Sequence, residues 1–165
     1  MFVKDIGKNT ISILNNIKIS NFKPWGLKHL MSTLDPNNYV LGVGYGYGDH
    51  QICISGRVKR SESIFRGANR ELYEELSLNF KNIPKPFMIS GRNIYYKVNI
   101  KDTVLKESYG ETDCRGDTNT RVVICIYGLE SDILDYMDNV RLRPDNCDSI
   151  TTIWCDKVEN IQKLL

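Results

Sequence analysis

The chain is expected to fold as an α+β domain, a mixed β-sheet with helices packed on it. Two kinds of segment point there. Runs rich in β-branched and aromatic residues, such as NIYYKVNI and RVVICIYGL, have the character of strands. Other stretches, above all Ser63 to Leu76, place apolar residues three and four apart, as an amphipathic helix does. The two kinds alternate along the chain with at least one hairpin among them, which favours a mixed sheet covered by helices. A length of 165 residues suits one domain, 1–165, with a sizeable core.

Taken in order, PWGLKHLMSTLD opens with Pro24 and reads as a short helix or turn. YVLGVGYGYG, Tyr39 to Gly48, alternates like a strand, and Asp49-His50 turns the chain into QICIS to make a β-hairpin. Its glycines suit a twisted strand with close neighbours. No helix follows them directly, so they do not form a phosphate-cradling loop. Ser61 or Ser63 can cap the next helix, which runs to about Leu76 with Phe65, Ala68, Leu72 and Leu76 as its buried stripe. NIYYKVNI and RVVICIYGL are strands, and the polar stretch KDTVLKESYGETDCRGDTNT between them reads as a loop. SDILDYMDNV is a helix with Ser131 or Asp132 near its start, TTIWCD a strand, and KVENIQKLL a final helix.

Composition narrows the function classes. With 41% hydrophobic and 25% charged residues, disorder is not expected. A net charge of +2 is too small for a chain-wide coat against nucleic acid or membrane, although a local basic patch is compatible with it. No apolar run is long enough to span a bilayer. The opening MFVKDIGKNT lacks the apolar segment of a secretory signal, so an intracellular, cytoplasmic protein is expected. Cys53, Cys114, Cys125, Cys147 and Cys155 are odd in number and contain no CxxC pair. They read as reduced, mostly buried thiols, and a zinc site that combines them with His29 and His50 is disfavoured.

The segment SGRVKRSESIFRGANRELYEELSL poses a physical problem. Glu71, Glu74 and Glu75 lie at i, i+3 and i+4 and share one helix face. Like charges at these spacings cost a helix roughly 0.2–0.5 kcal/mol per pair. Arg70 can offset part of this, and a divalent cation more, because hard cations favour carboxylate and carbonyl oxygens. A solvated face is the ordinary explanation for such a cluster. The spacing argues otherwise. Gly56 is followed after five residues by Glu62, and after seven more by Arg70-Glu71-Leu72-Tyr73-Glu74-Glu75, with aliphatic Leu78 beyond.

This pattern resembles the signature of the Nudix hydrolases, G-x5-E-x7-R-E-U-x-E-E-x-G-U with U aliphatic, at every fixed position but one. The resemblance covers 23 residues directly. The strand with Trp154 and the short helix after it also look like the end of a Nudix domain. The resemblance implies a Nudix-like α/β/α sandwich with a mixed sheet. It implies that Glu71, Glu74 and Glu75 bind Mg2+ or Mn2+ or help activate water, that Glu62 completes or braces the site, and that Arg70 orients the glutamates. The Gly56 carbonyl would approach the metal. Magnesium would bridge carboxylates and an anionic pyrophosphate that otherwise repel one another.

Two positions depart from the pattern. Ser77 stands where the family has glycine; a left-handed serine there costs roughly 1–2 kcal/mol unless the helix end shifts and Asn79 takes the position. Ser55 precedes Gly56 where many relatives carry a second glycine. A further acid is expected from the loop Glu107, Glu111, Asp113, Asp117, with Glu111, beside Gly110, the choice for base or ligand. Arg57, Lys59, Arg60 and Arg66 could grip phosphates, and Tyr95 or Tyr96 could stack on a base.

The implied activity is a metal-dependent pyrophosphohydrolase that cleaves a nucleoside diphosphate linked to another group. Free nucleotides and the 5′ end of capped RNA are both candidate substrates. The alternative is a non-catalytic Nudix module that binds RNA or a partner protein; loss of box acids would have pointed to it, and all four are present.

Overall fold

The computed structural model describes residues 1–5, 7–15, 19, 24–45, 49–108, 110, 114–141 and 150–165, with residues 24 and 25 described by their backbone alone. The chain begins with β1 (Phe2–Asp5) and β2 (Ser12–Ile13), followed by α1 (Pro24–Ser32), β3 (Tyr39–Tyr45) and β4 (His50–Ile52). Next come β5 (Ile54–Lys59), α2 (Ile64–Leu76), β6 (Leu78–Phe80), β7 (Met88–Ser90) and β8 (Asn93–Asn99). A 3-10 turn at Ile100–Asp102 leads into β9 (Thr103–Leu105), β10 (Asp117–Gly128), α3 (Glu130–Asn139), β11 (Ile150–Lys157) and α4 (Val158–Gln162). The result is a mixed α+β structure.

The main sheet runs β2-β1-β11-β3-β10-β8-β7, with β4 paired to β3 and β5 to β10. Among these described strands every pairing is antiparallel except β8 with β10. β6 and β9 form a separate two-stranded sheet. The strands alternate, and both faces of the sheet are apolar. Leu41, Val43, Val122, Ile124, Ile126 and Ile153 pack under α2 and α3. Val40, Val123, Cys125 and Trp154 pack under α1 and α4 with Leu27, Leu30 and Ile161. Burial on both faces is why RVVICIYGL reads as an almost unbroken apolar run.

One joint positions the site. The hairpin expected over QICIS forms, but β4 ends at Ile52 and Cys53 takes a left-handed φ of 65°. The chain then changes partner: β4 pairs with β3 through Gly42↔Ile52, and β5 pairs with β10 through Ile54↔Ile124. Strand β5 takes its first two residues from the expected QICIS strand and continues through GRVK, where no strand was expected, because Gly56 and the polar Arg57 and Lys59 mask the alternation of Ile54 and Val58.

Other expectations are met or corrected. The helix over PWGLKHLMS forms, while residues 46–48 at the end of the expected hairpin strand lie outside the described residues. The polar loop 101–120 holds β9 and the start of β10 at Asp117. The helix over SDILDYMDNV begins at Glu130, with Leu129 as N-cap and no side-chain cap; Ser131 and Asp132 fall inside its first turn. Cys53, Cys125 and Cys155 are buried free thiols, Cys114 is half-buried, and Cys147 lies outside the described residues. Buried Lys4 anchors β1 to α3: its ammonium donates to the carbonyls of Met137, Asp138 and Val140, the last at 3.0 Å. These carbonyls at the helix end lack helical partners, and a cation suits them. No helix among the described residues is long and apolar enough to cross a membrane.

Candidate active site

Helix α2 starts where the sequence allows. Ser63, extended at φ −69° and ψ 157°, accepts a bond from the Arg66 N–H with its side chain. This is an N-cap, worth about 1 kcal/mol. Ala68, Leu72 and Leu76 are almost wholly buried under α2, and Phe65 packs against the same core. At the other end Ser77 takes φ 55° and ψ 33°, with its N–H on the Tyr73 carbonyl. The departure from glycine therefore leaves the helix end in place. Asn79 sits in β6 instead. The Leu76 carbonyl accepts from the Tyr136 hydroxyl at 2.6 Å, so α3 helps satisfy this terminus.

Among the described residues, the non-glycines at positive φ are Cys53, Ser61 and Ser77. They stand before β5, between β5 and α2, and after α2. Left-handed non-glycine backbone costs on the order of 1–3 kcal/mol and clusters where function demands a geometry. All three joints of one strand-turn-helix unit carry that cost.

Arg70 is the hub of this unit. It is 3% exposed. Its Nε donates to Glu62 Oε2 at 2.9 Å and its Nη2 to Glu62 Oε1 at 3.1 Å. Nη1 donates to Glu71 Oε1 at 3.0 Å and Glu74 Oε2 at 3.2 Å, and Nη2 also reaches the Arg57 carbonyl at 3.0 Å. Three carboxylates thus share one guanidinium. Burial works against the charge on Arg70, but Glu62, Glu71 and Glu74 more than offset it, so the guanidinium is held protonated. This is the orienting role implied for Arg70.

The four acids have different environments. Burial alone would raise the Glu62 carboxyl, yet the two bonds from Arg70 and the Lys59 backbone N–H at 3.0 Å hold it below its ordinary range. All its bonds serve bracing. Glu71 is pushed up to about 7, first by burial and then by the charge of Glu74. Glu75 is raised well above the usual carboxylate range by burial, with Glu71 and Glu74 adding repulsion, against one favourable bond from the Ser55 backbone N–H. Its Oε2 is buried without a hydrogen-bond partner. Glu74 has a side chain 40% exposed and faces outward.

Gly56 lies directly beneath Glu71. A Cβ added there would stand 2.0 Å from Glu71 Cδ and 2.3 Å from both carboxylate oxygens. A side chain there would displace the Glu71 carboxylate, a reason for glycine that the sequence does not reveal. Gly67 plays the same part for Glu62: an added Cβ would come within 2.8 Å of Glu62 Oε1.

A cation fits this donor set. Glu75 presents an unpartnered buried oxygen, Glu71 lies over Gly56 where a Cβ would displace it, and both are pushed toward neutrality, first by burial and then by neighbouring carboxylates. Among the described residues no three His, Cys, Asp or Glu side chains converge closely enough to enclose an ion. Glu71 and Glu74 each have a carboxylate oxygen engaged by Arg70 Nη1.

The remaining expected residues are dispersed. Glu111 and Asp113 lie outside the described residues. Glu107 is exposed, and its carbonyl accepts from the Tyr73 hydroxyl of α2 at 3.1 Å. Asp117 is exposed opposite Lys59 in the β5–β10 ladder. Arg57, Arg60 and Arg66 are exposed and Lys59 is half-buried. Tyr95 and Tyr96 are both core residues, 1% and 3% exposed, so neither offers a free face for base stacking in this conformation. Tyr95 is held under α1, where its hydroxyl occupies the space a Cβ on Gly26 would need. Two contributors escaped the sequence reading, the Ser55 N–H that binds Glu75 and Arg121, whose guanidinium donates to Ser55 Oγ at 3.3 Å. A backbone donor has no signal in residue identity, and Arg121 stands more than 40 residues from the box in sequence.

Comparison with known proteins finds no matching family model, no matching curated protein and no matching solved structure.

Proposed function

We propose that the chain is a divalent-metal-dependent pyrophosphohydrolase of the Nudix type, acting on a nucleoside diphosphate derivative. The observation that carries the reading is the joint placement of the box residues. Gly56, Glu62, Arg70, Glu71, Glu74 and Glu75 come from a strand, a turn and a helix, yet form one cluster in which a single guanidinium serves four carboxyl groups. A helix face that was merely solvated would not bury Glu75 with an orphan oxygen.

Glu71, Glu74 and Glu75 would hold Mg2+ or Mn2+, with the Gly56 carbonyl nearby. When bound, the cation would neutralise phosphate charge and lower the pKa of water. Glu62 keeps Arg70 in place through its paired bonds, and Arg70 sets the positions of Glu71 and Glu74. Whichever of Glu71, Glu74 and Glu75 keeps an oxygen free of the cation would take up the proton of the attacking water. Glu111 remains the proposed acid from outside the box.

The test is magnesium-dependent hydrolysis of a panel of free nucleotides, sugar nucleotides, dinucleoside polyphosphates and capped RNA. Reaction in heavy-oxygen water should place label on a phosphate product. Glu75→Gln should keep the fold and reduce turnover by orders of magnitude. An unchanged rate in that variant would sink the proposal. Metal-dependent binding with no hydrolysis of any substrate would favour the non-catalytic module instead.

A further inference from the structure

A row of side chains crosses the sheet at the end of β5. Arg57 on β5 stands opposite Arg121 on β10, Arg121 stands beside Asn93 on β8, and Asn93 faces Ser90 on β7. Residues paired in this way point to the same face of a sheet. It is the α1 face, because Val123 and Cys125, two and four residues beyond Arg121, pack in the α1–α4 core. Helix α1 covers the neighbouring row at Tyr95. The arginine row lies beyond it and opens into a pocket of about 500 Å3, which Arg92 and Asn119 complete. Arg92 occupies the tip of the β7–β8 hairpin, and its carbonyl accepts from the Arg121 N–H at 2.9 Å.

Like charges directly opposite on neighbouring strands are destabilising. Arg57 and Arg121 are so placed, with Arg92 close by. Among the described residues no carboxylate pairs with any of the three. The arrangement has a purpose if an anion lies along it. Neighbouring strands are about 4.8 Å apart, so the row from β5 to β7 spans roughly 14 Å, more than one phosphate needs. Gly56 and Arg57 are consecutive, so the acid cluster and the arginines project from opposite faces of β5. A diphosphate held at the acids is therefore not the anion held by the row.

We propose that this row binds the phosphodiester backbone of single-stranded RNA, beyond the diphosphate at which the chain acts. The placement of the RNA as substrate rests on the hydrolase reading; the binding does not. With Tyr95 buried, the contacts are charge and hydrogen bonds to phosphate and sugar, so binding is insensitive to sequence and steep in salt.

The experiment is fluorescence anisotropy of a labelled oligouridylate of about 12 nucleotides with the full chain in EDTA. Arg92→Gln and Arg121→Gln should each weaken binding by about 3- to 10-fold and flatten the log-affinity against log-salt slope by about 0.7. Lys8→Gln, which removes an exposed positive charge at the opposite edge of the sheet beside β1 and β2, should bind as the parent does. Parental affinity and slope in both arginine variants would overturn the proposal. So would displacement of the RNA by inorganic tripolyphosphate at equal phosphate concentration, which would mark a site for free polyphosphate. Should Arg121→Gln fail to fold for loss of its Ser55 bond, the exposed Arg92 decides alone. RNA binding that survives alongside an absence of hydrolysis on every substrate would refute the hydrolase reading and leave this one standing.

Discussion

Glu71→Gln separates a metal site from a salt-bridge ornament, because the two make opposite predictions for stability. In the metal-free protein Glu71 is raised from 4.5 to about 7, by burial first and the Glu74 charge second. Its side chain is 13% exposed, so solvent screens it little. The folded state therefore holds a proton that the unfolded chain releases near 4.5. Stability from this group is fully present below that pH and is lost as pH rises through about 7. The loss at pH 8.5 is about 3 kcal/mol, at about 1.4 kcal/mol per pH unit. Glutamine resembles the protonated acid, although its amide must find a partner at a cost of about 1 kcal/mol. The variant should gain about 2 kcal/mol at pH 8.5 in EDTA, near 4–8 °C in melting temperature for a chain of this size. At pH 4.5 the gain should vanish. Saturating magnesium should raise the melting temperature of the parent more than that of the variant, since a ligand stabilises only the state that binds it. Hydrolysis by the variant should fall by about 100-fold or more. Thermal unfolding at the two pH values, with and without magnesium, tests the stability half. A variant less stable than the parent at pH 8.5, with the same response to magnesium, would refute the reasoning.

Other perturbations probe the same unit. Arg70→Met leaves Glu62, Glu71 and Glu74 without their shared cation and should cost about 3–5 kcal/mol in urea denaturation, because it strands buried charge. Gly56→Ala should displace the Glu71 carboxylate, whose carbon lies 2.0 Å from the added methyl; turnover should drop at least about tenfold, with a measurable loss in magnesium affinity. Ser77→Gly, at φ 55°, should raise stability by about 0.5–1 kcal/mol in chemical denaturation without altering turnover, since it relieves left-handed strain and touches none of the acids.

The sequence alone determined the local features whose causes are local. A serine at 61 or 63 caps α2, with the structure selecting Ser63, the Ala68–Leu72–Leu76 stripe faces the core, and the strands over residues 93–99 and 121–128 form where β-branched and aromatic residues concentrate. The box acids and their spacing were equally legible, because a helix converts spacing into a shared face. Tertiary structure decided what those acids experience. Arg70 binds Glu62 across a turn, Ser55 reaches Glu75 from a neighbouring strand, and both contacts depend on how β5 leaves Cys53 and pairs with β10. Partner choice between strands is a long-range matter, so GRVK shows no strand signal of its own, and the short strands β6, β7 and β9 are similarly invisible. The burial of Tyr95, the opposition of Arg57 and Arg121, and the absence of room over Gly56 follow from that pairing. Desolvation and charge repulsion act through space, and they set the protonation of Glu71 and Glu75 only once distant segments have closed around them.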